Sequence, residues 1–399
     1  MNCGSGDIMN EKRNKVILKD VLGPKGYIRG PFGSALKRCE LLDEGIPVYE
    51  QQHAITESRT FRFFINDEKF ESMKRFQVQE NDLIISCSGT IGCVSIIGPD
   101  DPKGIISQAL LILRANTDVV LPQYLKYFFT SKKGYNAIVS RSSGSVQVNI
   151  AKREIIEQIE LDLPDIPTQK KIVGVLEALD KKISNNNAIN DNLQQQAVAL
   201  FTNFYDHAET EVGFTEIIQI LGGGTPKTGE SSYWNGNVPF FTPKDVGSPY
   251  TLTTEKTITE EGLTHCNSRL YPINTVFVTA RGTVGKVGLP GVPMAMNQSC
   301  YALIGKDTHQ LLVYFYTLKA VDRLKHKASG AVFDAITTRD FESENIMKLS
   351  DDDAKVFLDV AEPIYQAVLG NFIENLRLAA LRDSLLPKLM SGKIDVSYI

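Results

Sequence analysis

The 399-residue chain predicts an α/β (α+β) fold built twice, with two similar globular units separated by two long antiparallel helices forming a coiled-coil spacer. Three observations predict it. A set of short motifs occurs twice in the same order. Each set is followed by a segment whose apolar residues alternate at three- and four-residue spacing, the period of an amphipathic helix. The length also exceeds what one core of ~100–200 residues serves efficiently.

The first motif is a glycine-rich approach, RGPFGSAL around Gly30 and Gly33, answered by GGGTPKTG around Gly223. A proline-led strand follows, IPVYEQQH at Pro47 and VPFFTPKD at Pro239. The most informative pair is NDLIISCSGTIGCVSIIG from Asn81 and NTVFVTARGTVGKVGLPG from Asn274. In both, an apolar strand runs into a Gly-Thr-aliphatic-Gly turn, with Gly89 and Gly92 matching Gly282 and Gly285. Such a turn uses glycine's access to positive φ. Gln108 and Gln298 then precede apolar strands, and Ser143-Gly144 and Ser329-Gly330 precede a last strand and a helix start. Ordered recurrence of this kind indicates two diverged copies of one unit. The expected boundaries are 1–163 for the first unit, 164–208 for its helix, 209–349 for the second unit and 350–399 for the C-terminal helix.

In the central helix Ile172, Leu176, Leu179, Ile183, Leu193, Ala197, Leu200 and Phe204 form one stripe. Asn186 and Asn190 interrupt it, as polar positions that set register in a coiled coil do. About forty residues at ~1.5 Å rise extend roughly 60 Å. The C-terminal helix starts at an acidic run from Asp351, which suits the positive end of a helix dipole. Val356 and Val360 precede an expected interruption at Pro363; Ile364, Val368, Phe372, Leu376, Leu381, Leu385 and Leu389 supply its apolar face, and Gly392 and Lys393 follow its end. The helix-pairing residues expected are Ile172, Leu176, Leu179, Ile183, Leu193, Leu200, Ile364, Phe372, Leu376 and Leu385.

Composition excludes several classes. Forty-three Lys plus Arg against 47 Asp plus Glu give a net charge of -4, which disfavours indiscriminate nucleic-acid binding but leaves room for local basic surfaces. Six scattered cysteines resemble neither a disulfide scaffold nor a zinc site, and the first residues lack the apolar middle of a secretory signal. A cytoplasmic protein without membrane association is expected. GGGTPKTG and GTVGKV lack the Gly-x-x-x-x-Gly-Lys-Ser/Thr phosphate loop, and the five histidines form no close ligand signature. No cofactor, metal or catalytic residue is expected.

The order of units and helices, together with GTIG, GTVG, IPTQKKI and the terminal LLPKLMSG, resembles the specificity subunit of Type I restriction-modification enzymes over nearly the whole chain. The resemblance implies that each unit is a target-recognition domain reading one half of a split double-stranded DNA sequence. It implies that the helices hold the domains apart and dock two methyltransferase subunits, admits restriction endonuclease subunits as further partners, and implies a chain that is not itself an enzyme. The alternative class is a DNA-independent helical scaffold joining protein partners.

A DNA reader needs cations for the phosphates and polar side chains for the base edges. Between Lys12 and Arg38 the cations Lys12, Lys25, Arg29, Lys37 and Arg38 stand with Arg13, Lys15 and Lys19 against Asp20 alone. In the second unit Lys227, Asn235 and Lys244 surround the glycine-rich approach beside Tyr233 and Trp234, while Arg281 and Lys286 bracket the GTVG turn where the first copy has Ser88 and Cys93. Gln108 and Gln298 form a matched amide pair, for which local structural hydrogen bonding is the alternative. Arg141 and Gln147 flank the first Ser-Gly turn, and Lys325 and Lys327 precede the second. The glycines Gly30, Gly33, Gly89, Gly92, Gly223, Gly282 and Gly285 are expected to shape turns rather than read bases.

Overall fold

The computed structural model describes residues 13–32, 35–140, 149–247, 249–327, 335–396 and 398. The chain divides into two compact units, Met1–Lys181 with Leu378–Ile399 and Lys182–Arg377. Each is an α+β unit, and two long helices each contribute to both.

The strands of the first unit are β1 (Asn14–Ile17), β2 (Leu22–Arg29), β3 (Ile46–Tyr49), β4 (Phe64–Ile65), β5 (Leu83–Ser86), β6 (Val94–Ile96), β7 (Ile105–Ile106), β8 (Leu110–Ala115) and β9 (Glu160–Leu163). Its short helices are α1 (Gln51–Ile55), α2 (Asp67–Ser72), α3 (Pro122–Thr130), α4 (Lys132–Val139) and α5 (Arg153–Ile156), followed by the long α6 (Ile166–His207). The sheets are ordered β1-β9, β2-β8-β5-β6 and β4-β3-β7.

The second unit has β10 (Thr210–Gly213), β11 (Ile218–Gly222), β12 (Trp234–Phe241), β13 (Tyr250–Thr251), β14 (Lys256–Ile258), β15 (Val276–Thr279), β16 (Val287–Pro290), β17 (Ala295–Met296), β18 (Cys300–Gly305) and β19 (Asn345–Lys348). Its helices are α7 (Phe214–Ile217), α8 (Glu260–Thr264), α9 (Gln310–Lys327) and α10 (Thr338–Glu342), followed by the long α11 (Asp351–Met390). Its sheets, β10-β19, β11-β18-β15-β16-β13 and β14-β12-β17, repeat the first unit's topology with one added edge strand. Even the parallel pairing recurs, Val48 with Ile105 and Phe240 with Ala295. The apolar runs Leu83–Ile85 and Val276–Val278 are fully buried, which is why they read as continuous rather than alternating.

In the first unit Ile172, Val173 and Leu176 of α6 share a core with Leu386 and Leu389 of α11, and the Arg382 guanidinium meets the Asp180 carboxylate at 2.8 Å. In the second, Ala197, Phe201 and Tyr205 pack with Phe357, Ala361, Tyr365 and Val368. There the buried Asn186 amide donates to Glu374 at 2.7 Å and to Asn375 at 2.9 Å, and the Asn371 amide donates to Asn190 at 2.7 Å. Partners fall in number along one helix as they rise along the other, so the pairing is antiparallel. Leu179, Ile183, Leu193, Leu200, Ile364, Phe372 and Leu385 are half-buried.

The α11 seam differs from expectation. Val356, Val360, Leu376 and Leu381 are roughly half exposed, and the buried line starts one residue over, through Phe357, Ala361 and Tyr365, before it meets the expected Val368 and Leu389. Leu376 is therefore no pairing residue: it faces away beside Asn375, which occupies the seam through its amide. Pro363 does not interrupt the helix. It is exposed, so its missing N–H and the carbonyl it frees fall on the solvent side. The helix ends where Gly392 takes φ +74°, and the Arg13 guanidinium donates to the freed carbonyls of Met390 at 2.7 Å and Leu389 at 3.1 Å.

The asparagine seam gives a stability prediction. Asn190→Leu alone should cost about 1–2 kcal/mol, because it strands the Asn371 amide. Asn190→Leu with Asn371→Leu should recover most of that loss, since neither partner is then left unpaired. Denaturant midpoints of the single and double variants check it; equal destabilisation would contradict the pairing.

Candidate nucleic-acid interface

In each unit the recurring motifs converge on one cluster of loops. The turn after β5 is held by Ser86, whose carbonyl accepts the Gly92 N–H and whose hydroxyl accepts the Cys93 N–H, both at 2.9 Å. Thr279 does the same after β15, accepting from Gly285 at 2.8 Å and from Lys286 at 2.9 Å. Gly89 and Gly92 stand at φ +66° and +82°, Gly282 and Gly285 at +84° and +74°, a region that side chains with a Cβ rarely enter. The tip of each turn is exposed.

Against the first turn lies the end of the proline-led segment: the Gln51 amide donates to the Thr90 carbonyl at 3.2 Å. In the second unit the same two positions meet with donor and acceptor exchanged, the Thr283 hydroxyl donating to the Pro243 carbonyl at 3.0 Å. Ser88 bridges to Asn149 and Arg281 to Ala335, which brings the segment after each Ser-Gly motif to the turn. The glycine-rich approach closes the cluster. A Cβ on Gly30 would stand 2.0 Å from the Ser107 carbonyl oxygen, and one on Gly223 2.1 Å from that of Asn297. Gln108 and Gln298, the residues next to these carbonyls, are exposed.

The cluster thus gathers Arg29, Gly30, Gly89, Gly92 and Gln108 in the first unit, and Gly223, Arg281, Gly282, Gly285 and Gln298 in the second. Arg29 donates to the carbonyls of Gln108 and Leu110, each at 2.8 Å, and so anchors the approach to the glutamine segment. Gln298 accepts the Thr225 hydroxyl, so part of its capacity is structural. Lys244 follows Pro243 at the second turn, exposed and 3.9 Å from Glu255. Lys227 is exposed on the approach, and its carbonyl accepts from the Trp234 indole at 3.2 Å. The indole is half-buried, edge-on to Phe240.

Other expected DNA-binding residues fall elsewhere. Lys286 and Lys325 line a hollow of about 420 Å³ on the flank of the Gly285 turn, with Asp322. Asn235 is exposed in a bulge of β12 at φ +61°. Lys37 and Arg38 lie on the turn of Glu40, which pairs with Lys69 at 2.9 Å. Lys25 lines a groove along β2. Lys327 departs from expectation: its ammonium is bound to the Glu344 carboxylate, which is only 2% exposed and also faces Arg323 at 3.5 Å, so it neutralises a buried charge. Arg13 belongs to the end of α11 rather than to a basic surface. Lys12, Gly33, Arg141, Gln147 and both Ser-Gly pairs lie outside the described residues.

Three features escaped sequence reasoning. Ser86 and Thr279, matched hydroxyls three residues before each first glycine, were visible as a pair. Phe32 is 69% exposed within RGPFGS. The cations Lys74, Arg75 and Arg153 come from distant segments and only the fold unites them. Behind the turns, burial pushes the thiols of Cys87 and Cys300 up to about 12, and the Tyr27 hydroxyl up to about 12. Among the described residues no group of His, Cys, Asp or Glu is placed to hold a metal, and no helix is long and apolar enough to cross a membrane.

Comparison with known proteins is consistent in direction. The family model described as Type I restriction modification DNA specificity domain matches residues 6–195 and 210–348. The chain is similar to the Type I restriction enzyme HindI specificity subunit of Haemophilus influenzae, 23% identical over 373 residues, covering 73% of this chain and 81% of that one. It is 32% identical over 124 residues to the Type I restriction enzyme MjaIX specificity subunit of Methanocaldococcus jannaschii, covering 30% and 29% of the two chains. Its fold is similar to the crystal structure of a Type-I restriction-modification system S subunit from M. genitalium, with a TM-score of 0.60 at 13% identity, covering 96% and 98% of the chains.

Proposed function

Because the chain belongs to the Type I restriction-modification DNA specificity family, we propose that its two units each read one half of a split duplex target. Membership makes it the sequence-specific DNA-recognition subunit of a Type I complex, in which methyltransferase and restriction subunits supply the chemistry. The finer reading takes 1–163 and 209–349 as the two readers, and 164–208 and 350–399 as the helices on which two methyltransferase subunits dock.

The duplicated loop cluster carries this reading. Each copy exposes a turn tip and a glutamine in the loops at the strand ends of one sheet, with the turn held by a buried hydroxyl, which is a rigid platform for polar contacts to base edges. The turns differ at Ser88 and Arg281, so the halves are expected to differ in sequence. The chain assembled with its modification subunits should protect two short tracts separated by an indifferent spacer. In cells, deletion of this gene should abolish methylation at one split motif. Protection of a single continuous tract would overturn the bipartite reading.

A further inference from the structure

A groove of about 770 Å³ runs along β2 of the first unit, lined by six cations, Lys25, Arg29, Lys74, Arg75, Arg114 and Arg153. Three are ion-paired: Lys74 with Glu71 at 2.9 Å, Arg114 with Asp82 at 2.7 Å and Arg153 with Glu157 at 2.7 Å. Among the described residues Lys25, Arg29 and Arg75 have no carboxylate partner. Aromatic rings position three of the guanidinium groups, Phe76 beneath Arg75 at 4.4 Å, Tyr27 beneath Arg153 at 5.2 Å and Phe32 beneath Arg29 at 5.4 Å. Stacking of this kind fixes a guanidinium without using its N–H donors; Arg29 commits one nitrogen to the Gln108 and Leu110 carbonyls and Arg153 one to Glu157. A second hollow shares Tyr27, Arg29, Phe32 and Arg153 and adds Lys152 and Asn149, the residue bridged to Ser88. The basic surface therefore continues into the reading loops.

The second unit does not repeat this set of cations, as the repeat shows position by position. Leu113 and Leu303 pair with Tyr27 and Ile220, so Arg29 corresponds to Gly222. The same registers match Arg114 to Ile304, and the ungapped run ending at Asn81 and Asn274 matches Lys74 and Arg75 to Asn267 and Ser268. Lys25 has no counterpart. It lies at φ +56° in a bulge where residues 23–26 oppose the single Arg114, and the second unit has only Gln219 at the corresponding place. Of the six cations only Arg153 has a cationic match, Arg339, by the equivalent bonds of Ile150 to Cys87 and Ile336 to Ala280. The second unit carries its cations at the turn instead, as Arg281, Lys286 and Lys325, where the first has Ser88, Cys93 and a contact with Tyr135.

We propose that the first unit holds the phosphate backbone of duplex DNA along this groove, through cations of which the second unit repeats only one. The inference rests on the reading of the units as DNA readers. Several cations along one groove, three of them without a carboxylate partner, fit a nucleic-acid strand better than an isolated anion, because each phosphate contact registers the next.

The test uses the full chain assembled with its modification subunits and random-sequence duplex DNA, whose binding reports the electrostatic part of affinity alone. Lys25→Gln with Arg75→Gln should make the slope of log affinity against log salt shallower by about 1.8, at about 0.9 for each phosphate no longer neutralised, and weaken binding roughly tenfold at physiological salt. Arg75→Lys with Lys25→Arg, which keep the charge, should retain the slope. On a target fragment the double glutamine variant should lose protection of one tract before the other. An unchanged slope in a folded complex overturns the groove assignment while leaving the readers intact. Loss of subunit assembly instead of DNA affinity assigns the groove to an acidic protein surface and also overturns it. No binding by the unsubstituted complex overturns the underlying reading itself.

Discussion

Replacing Phe201 by alanine is expected to destabilise the second unit by about 3–5 kcal/mol. Phe201 is 1% exposed and sits where three elements meet. Its ring stacks on Phe315 of α9 at 4.8 Å and meets Phe357 of α11 at 5.4 Å, Tyr316 at 5.6 Å and Tyr205 at 5.5 Å. Truncation opens a cavity walled by aromatic rings, which collapse poorly around a void, so both the transfer and the cavity contributions are lost. Leu200→Ala, one residue away and half-buried, should cost well under half as much. Denaturant unfolding of the two variants checks the ordering, and comparable losses would contradict a core centred on Phe201. By hydrogen exchange the Phe201 variant should lose protection in α9 and the 351–377 part of α11 first.

The second large effect is expected from Gly30→Ala. The added Cβ would lie 2.0 Å from the Ser107 oxygen, 2.8 Å from its carbonyl carbon and 3.0 Å from the Leu110 oxygen, all backbone atoms. No rotamer relieves such a clash, so the approach loop must leave the sheet edge and the Arg29 bonds to Gln108 and Leu110 must break. A cost of about 3 kcal/mol is expected, with loss of protection at one half of the target. Gly282→Ala makes the contrast. Its nearest neighbour is Pro243 at 3.7 Å, so it suffers only the positive φ, about 1–2 kcal/mol. It should keep the fold and alter recognition. If Gly30→Ala melts and binds like the parent chain, the close approach at Ser107 is wrong.

Much of the architecture was legible because glycine and strand patterns report local backbone demands. The four turn glycines stand at positive φ, and the spacing that marks them needs no knowledge of the rest of the chain. The α11 seam was less legible for a reason visible in its residues. Val356, Val360 and Ile364 make an apolar row as regular as Phe357, Ala361 and Tyr365, and tertiary packing decides between the two faces. The basic segment misled for the opposite reason. Arg13, Lys25 and Lys37 are neighbours in the chain yet belong to a helix cap, a groove and a separate turn, while Arg75 and Arg153 join Lys25 from far away. Charge becomes a surface only once strands have been ordered, which a linear reading of cations does not supply.

The closing of the first core by α11 also sets an order of events during synthesis. Leu386, Leu389 and Val396 are buried among residues translated some two hundred positions or more earlier, and Arg13 waits for the carbonyls of Leu389 and Met390. The N-terminal unit cannot finish its hydrophobic core as it leaves the ribosome. It emerges with the Ile172–Leu176 surface uncovered, and the second unit must be made before that surface is sealed. A chain ending at Arg377 would therefore keep every residue of the second unit yet leave the first with an uncovered apolar face. The folding of the first unit thus certifies that translation of the second has been completed.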